Sequence, residues 1–105
     1  MSWTFLSNHS HVLVCLARDP NVRMREVAAR VGITERGVFK IISDLEEIGV
    51  ITRSREGRRN HYELDTSVKL RHPLEGSRTV GSLLEMVLDF EDAKRLNLKV
   101  PRRRA

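Results

Sequence analysis

Two short segments that meet at a glycine restrict the possible folds of this chain. Each segment carries apolar residues at the spacing of a helix. The first runs from about Arg23 to Val31 and stops at Gly32, a residue suited to the left-handed conformation that ends a helix. Thr34 opens the second segment with a hydroxyl that can cap first-turn amides. One face of that segment, which stops at Gly49, carries Val38, Ile41, Ile42, Leu45 and Ile48. The sequence therefore predicts two helices joined by a tight turn.

A strand pair is predicted directly after these helices. Residues 50–55 are rich in β-branched side chains, residues 56–60 form a turn, and residues 61–64 form a second strand. Tyr62 and Leu64 alternate toward the interior and are expected to anchor the hairpin. Between Val50 and His61, four arginines stand against one glutamate, Glu56, so this hairpin is strongly basic.

Helices are also expected on either side of this region. Ser7 or Asn8 can cap a first helix that ends near Arg18, while Pro73 and Gly76 argue against a long helix between residues 65 and 78. A fourth helix is predicted over residues 79–96, with Val80, Leu83, Val87 and Phe90 along a heptad-like seam. The fold class is mainly α with a small β-hairpin, in the order α-α-α-β-β-α. Residues 1–98 form one domain, followed by a basic, disordered tail at 99–105.

Charge and composition limit the function classes. The chain has 105 residues and a net charge of +5, which suggests a polyanionic partner. A single cysteine, Cys15, excludes an internal disulfide and is expected to pack as a small hydrophobe rather than to act as a redox sensor. No membrane span or signal peptide is visible, so a soluble, cytoplasmic protein is the default expectation.

Two short helices joined at a glycine turn are typical of a helix-turn-helix, in which the second helix enters the major groove of DNA. The basic hairpin follows where a wing would contact the phosphate backbone or the minor groove. The segment from Val31 to Gly49 resembles the recognition unit of MarR/ArsR-like winged-helix regulators, and Gly57–Tyr62 resembles their wing. Weaker resemblance extends to Trp3–His9 and Leu70–Leu84. The resemblance as a whole implies a winged helix-turn-helix transcriptional regulator that binds double-stranded DNA. Its recognition helix would be residues 34–48 and its wing residues 50–64.

The first half of the recognition helix holds the groove-facing candidates, which are Thr34, Arg36, Gly37, Phe39, Lys40 and Ser43. Arg36 is the best candidate to read a base, because a guanidinium can bond both acceptors of a guanine; its alternative is a phosphate contact or a solvated charge. Lys40 is assigned to phosphate. Phe39 either packs on a thymine methyl or shields the edge of the core, and Gly37 either permits close approach to DNA or is simply tolerated.

The wing candidates are Arg53, Arg55, Arg58, Arg59 and Asn60. They are predicted to contact phosphates, with one of the arginines at the tip entering the minor groove. The alternative is a charge cluster that protects a strand edge and aids solubility.

The sequence predicts no catalytic site and no site for a metal or cofactor. No catalytic set is visible, the four histidines are scattered without metal-ligand spacing, and no cofactor is predicted. A homodimer is expected through the helix around Val80–Phe90 together with the N-terminal segment; the alternative is that this helix packs on the core of its own monomer. The competing function is a winged-helix module for protein interaction, which would use the acidic face of Asp44, Glu46 and Glu47 or the last helix.

Overall fold

The structure is a computed structural model that describes residues 3–98. The chain forms two compact units, one ending at Leu64 and the other beginning at Asp65. The first unit holds three helices and a hairpin: α1 (Asn8–Arg18), α2 (Met24–Val31), α3 (Glu35–Glu47), β1 (Ile51–Glu56) and β2 (Arg59–Leu64). The second holds α4 (Val80–Val87) and α5 (Phe90–Arg95). The predicted fold class and order are confirmed, with the last helical region divided in two.

Side-chain caps set where the first and third helices begin. Ser7 Oγ accepts a hydrogen bond from Ser10 N at 3.3 Å, and Thr34 Oγ1 accepts one from Gly37 N at 3.0 Å. Each cap satisfies one of the amides that a helix start leaves without an acceptor. The turn between α2 and α3 depends on Gly32, whose φ of 84° is a left-handed conformation that L side chains avoid. These features allow α3 to begin at Glu35, soon after α2 ends at Val31.

The core of the first unit lies among its three helices and the base of the hairpin. Its buried side chains are Val12, Leu13, Leu16, Ala17, Val22, Val27, Ala28, Val38, Ile41, Ile42, Leu45, Val50, Ile51 and Tyr62. Each large apolar side chain buried here stabilises the fold by about 1.5–3 kcal/mol relative to exposure. On the predicted apolar face of the third helix, Val38, Ile41, Ile42 and Leu45 are buried as expected, whereas Ile48 is only half-buried.

The hairpin turn is tighter than predicted. Residues 56–60 were expected to form it, but Glu56 pairs with Arg59 across the strands and Asn60 pairs with Arg55. Only Gly57 and Arg58 remain in the turn, and Gly57 alone has a positive φ, of 63°. A two-residue turn with glycine first fits the right-handed twist of paired strands, which is why pairing extends to Arg59.

Tyr62 anchors the hairpin, as predicted. Its side chain is 1% exposed, its N–H donates to Pro20 O at 2.9 Å, and its hydroxyl lies 3.8 Å from Met24 Sδ. The hydrogen bond to Pro20 ties the free edge of β2 to the loop before α2. Leu64 lies on the same face but is half-buried, because it is closer to the end of the strand.

The second unit departs from the predicted single helix over 79–96. Leu88 is extended, with ψ 147°, and the chain restarts as α5 with Asp89 Oδ1 accepting from Asp92 N at 3.1 Å. This break changes the phase of the apolar positions, so the predicted seam is wrong in its second half. Val80 is buried and Leu83 is half-buried, but Val87 and Phe90 are exposed. The buried positions are instead Val80, Gly81, Leu84, Leu88 and Ala93.

The segment before α4 contains no long helix, as Pro73 and Gly76 predicted. It forms an antiparallel bridge between Lys69 and Thr79, flanked by a hydrogen bond from Val80 N to Val68 O at 2.8 Å. The predicted tail at 99–105 lies outside the described residues. Within residues 3–98, no helix is long and apolar enough to cross a membrane.

Candidate nucleic-acid interface

The exposed face of α3 lies opposite its buried face. Val38, Ile41, Ile42 and Leu45 point into the core. At 100° per residue, Arg36, Lys40 and Ser43 then project on the far side of the helix, and all three are exposed. Their spacing of four and three residues aligns them in one stripe about two turns long. This stripe can present two cations, Arg36 and Lys40, and the hydroxyl of Ser43 to a single partner.

The other three predicted α3 residues border this stripe. Thr34 is exposed, but its hydroxyl oxygen is engaged by Gly37 N in the helix cap. Phe39 is 49% exposed and therefore belongs to the surface as much as to the core edge. At Gly37, an added Cβ would lie 3.4 Å from Thr34 Oγ1 and 3.5 Å from Ile33 Cδ1, which are ordinary contacts. Packing within the chain therefore does not require a glycine at position 37.

Lys40 does not project freely, because it belongs to an ion-pair network. Lys40 Nζ donates to Asp44 Oδ1 at 3.1 Å, and His9 Nε2 lies 2.9 Å from Asp44 Oδ2. The hydrogen bond with His9, and after it the one with Lys40, lowers the pKa of the Asp44 carboxyl. Asp44 thus connects α3 to α1. It also orients the side chain of Lys40, which is predicted to contact phosphate.

The wing arginines differ in their surroundings. Arg53 Nε lies 3.4 Å from Glu46 Oε2, so this arginine is partly neutralised by α3. Arg55, Arg58 and Arg59 are exposed, and no ion pair joins them to a carboxylate within residues 3–98.

Asn60 does not sit at the tip as the sequence predicted. It is half-buried in β2, and its Nδ2 donates to Tyr62 Oη at 3.4 Å. The outer part of the hairpin thus carries three guanidinium groups that have no carboxylate partner in the described chain. These are Arg55, Arg58 and Arg59.

Sequence reasoning missed the polar contacts that hold these elements. Glu46, assigned to an acidic surface, reaches Arg53, and His9, which was given no role, reaches Asp44. His61 Nδ1 lies 3.4 Å from Asn21 Oδ1 and 3.7 Å from Glu56 Oε2, which ties the wing to the loop before α2. Two of these pairs, His9 with Asp44 and His61 with Asn21, join residues that are far apart in sequence, and no local pattern signals such pairs.

Other reactive groups do not gather into a site. Among residues 3–98, no three His, Cys, Asp or Glu side chains are placed to hold a metal ion. Cys15 is half-buried, and burial raises the pKa of its thiol against the opposing effect of Arg30 and Arg18. A thiol held in its neutral form is a weak nucleophile, which agrees with the packing role predicted for it.

Comparison with known proteins identifies the architecture of the first unit. Residues 7–52 match a family model described as winged helix-turn-helix, DNA-binding. The match and the arrangement of three helices and a hairpin show that the first unit has a winged helix-turn-helix fold. The match runs from the cap of α1 to the second residue of β1, so it includes the helix pair but only the start of the wing. A search of curated proteins found no significant match.

Solved structures share this fold. MepR, a transcription regulator of the Staphylococcus aureus multidrug efflux pump MepA, is 19% identical with a TM-score of 0.55, covering 87% of this chain and 71% of MepR. ZitR, a zinc-responsive MarR family member from Lactococcus lactis, is 19% identical with a TM-score of 0.47, covering 92% of this chain and 72% of ZitR. The winged-helix fold predicted from the sequence is confirmed by the family match and by MepR.

A third solved structure is matched over a smaller part of its length. AdcR, a zinc-dependent MarR family transcriptional regulator in its Zn(II)-bound state, is 24% identical with a TM-score of 0.45 over 62% of this chain. The aligned region spans less than half of AdcR, 47% of its length.

Proposed function

We propose that this protein binds double-stranded DNA and regulates transcription, with α3 in the major groove and the wing on the backbone or minor groove. The observation that carries the proposal is the exposed stripe of Arg36, Lys40 and Ser43 opposite the buried face of α3. A major groove about 12 Å wide admits one helix, and arginine, lysine and hydroxyl side chains are suited to base edges and phosphates.

The wing supports the same partner. Arg55, Arg58 and Arg59 are exposed cations without carboxylate partners in the described chain, and such groups gain most from releasing counterions around DNA. The Arg53–Glu46 ion pair holds β1 beside the C-terminal half of α3. A duplex bound to α3 would therefore also meet the hairpin, as in other winged helices that use both elements.

The rival role in protein interaction draws less support from the acidic face. Asp44 is paired with His9 and Lys40, and Glu46 is paired with Arg53. Two of the three carboxylates proposed as a contact surface are therefore already engaged within the chain. Glu47 remains exposed, but one carboxylate does not make a docking surface.

A homodimer is part of the proposal, because one helix and one wing make few contacts with DNA. Exposed apolar side chains are present in both regions predicted to associate. Trp3 and Phe5 stack edge to face with 4.9 Å between ring centroids, and Met86, Val87 and Phe90 are exposed in the second unit. Sedimentation at high micromolar concentration tests the assembly, and a monomer there would exclude it.

Selection from random duplex DNA at a fixed salt concentration tests the function. We expect an enriched motif, with two related half-sites about 34–36 Å apart if the protein binds as a dimer. The absence of both an enriched motif and duplex binding would favour the interaction module.

A further inference from the structure

A cleft of about 300 Å³ lies within the first unit, between the wing and the start of α2. Its cationic lining comes from Arg23, Arg58 and Arg59, and no carboxylate lines it. None of these three arginines forms an ion pair with a carboxylate of residues 3–98, whereas Arg53, Arg30 and Lys40 each do. Three like charges around one concave space favour an anionic occupant.

Backbone donors belong to residues that line the same space. The Tyr62 N–H leaves the β1–β2 ladder and donates to Pro20 O, so the N–H of Asn60, two residues earlier in the strand, points to that same edge. Asn60 lines the cleft. Near it, α2 begins at Met24, and the preceding residue Arg23 provides no side-chain cap, so the amide of Met24 has no intrahelical acceptor. Neutral donors thus reinforce the guanidinium groups.

The floor of the cleft is partly apolar. Met24 and Val22 line it together with the buried ring of Tyr62, whose hydroxyl already accepts from Asn60 Nδ2. Small-molecule sites combine such apolar walls with a few converging polar groups, and volumes begin near 300 Å³. A phosphate suits the donors better than a carboxylate does, because its three terminal oxygens can accept from several guanidinium and amide groups at once.

We propose that this cleft binds a small phosphate monoester with an apolar substituent, and that the bound compound competes with duplex DNA for Arg58 and Arg59. The competition rests on the proposed function, since both arginines are candidate wing contacts. Binding of the compound itself does not depend on it. Occupancy would draw the two guanidinium groups toward the cleft and lower the affinity of the wing for DNA phosphates.

Phenyl phosphate is a suitable probe, titrated into the full-length protein at constant ionic strength while ¹H–¹⁵N amide shifts are followed. We expect saturable shifts centred on Asn60 and Met24. Arg23→Gln should weaken binding tenfold or more. The matched control is Arg25→Gln, which removes the same charge from a neighbouring exposed residue outside the cleft lining and should change binding twofold or less. Shifts that do not saturate, or an equal weakening in both variants, would overturn the proposal.

Duplex binding separates this inference from the proposed function. Saturating phenyl phosphate should raise the Kd for DNA at least fivefold in the unmodified protein and much less in Arg23→Gln. An unchanged Kd would overturn the competition. If phenyl phosphate does not bind but Arg23→Gln lowers the salt dependence of DNA binding, the cleft serves the duplex backbone and the small-ligand proposal is wrong. Localised phosphate binding without any duplex binding would remove the proposed function and leave the ligand site in place.

Discussion

Asp44 accepts hydrogen bonds on both carboxylate oxygens, from Lys40 Nζ at 3.1 Å within α3 and from His9 Nε2 at 2.9 Å in α1. One acidic residue therefore links the helix proposed to enter the groove with the helix that packs behind it. The two bonds lower the pKa of this carboxyl, which makes their contribution to stability dependent on pH.

Asp44 should stabilise the fold only where its carboxyl is ionised. Because its folded pKa is lowered, the contribution is full above the ordinary aspartate value of about 3.9 and is lost as pH falls through the lower folded value. The Tm difference between the unmodified protein and Asp44→Asn should therefore shrink below about pH 4. Glu47→Gln, an exposed neighbour, is the matched control and should show no such convergence. A Tm difference that stays constant from neutral pH to strongly acidic pH would contradict the role of these bonds.

Gly37→Ala should stabilise the protein by about 0.5–1 kcal/mol, because alanine is the better helix former and the new Cβ meets only ordinary contacts. Chemical denaturation measures the change. Gly81→Ala provides the contrast, since its Cβ would lie 3.0 Å from Thr66 O and should destabilise the second unit. If Gly37→Ala gains stability while losing DNA affinity, the glycine is there for close approach to the duplex. Unchanged affinity would indicate that glycine is merely tolerated at this position.

Phe39→Gln should change the preferred DNA sequence. About half of the ring is exposed, so losing it should cost about 1 kcal/mol of unfolding free energy rather than the full value for a buried aromatic. Selection from random duplexes with both proteins would show whether a thymine preference disappears. A larger drop in stability with the same preferred sequence would assign Phe39 to the core edge and exclude a groove contact.

The wing arginines should contribute to the affinity for duplex DNA through their charge. Arg58→Ala and Arg59→Ala should each weaken duplex binding and make the slope of log K against log salt concentration shallower by about 0.9 for every phosphate that the variant no longer neutralises. Arg30→Ala is a control of equal charge, because Arg30 is already paired with Glu26 at the end of α2. Equal slopes for all three variants and the unmodified protein would mean that the wing does not bind the DNA backbone.

Glu46→Gln should raise DNA affinity modestly by releasing Arg53, whose Nε is 3.4 Å from the carboxylate. The pair is partly exposed, so a double-mutant cycle with Arg53→Gln should give a coupling of about 0.5 kcal/mol at low salt and less at high salt. Fluorescence anisotropy on a duplex and urea denaturation give the two readouts. A fall in affinity for Glu46→Gln would indicate that Arg53 must be held by Glu46 in order to reach DNA.

Local sequence signals predicted most of the architecture. The apolar spacing of α2 and α3, the cap at Thr34 and the glycine at position 32 are each decided within a few residues, so the helix pair and its turn could be read directly. The basic hairpin was predicted for the same reason. Its turn was placed too wide, because the pairing of Glu56 with Arg59 depends on both strands together.

Packing between distant residues accounts for the helix break and the ion pairs that neighbouring residues do not encode. The break at Leu88 and Asp89 interrupts a helix that apolar spacing alone made continuous, because burial in the folded unit selects Leu88 and Ala93 over Val87 and Phe90. The contacts of Asp44 with His9 and of Arg53 with Glu46 require three-dimensional proximity between separate elements. Local sequence patterns thus specify the helix pair and the charge of its wing. Which charges are paired, and which are left for a partner, depended on packing between elements.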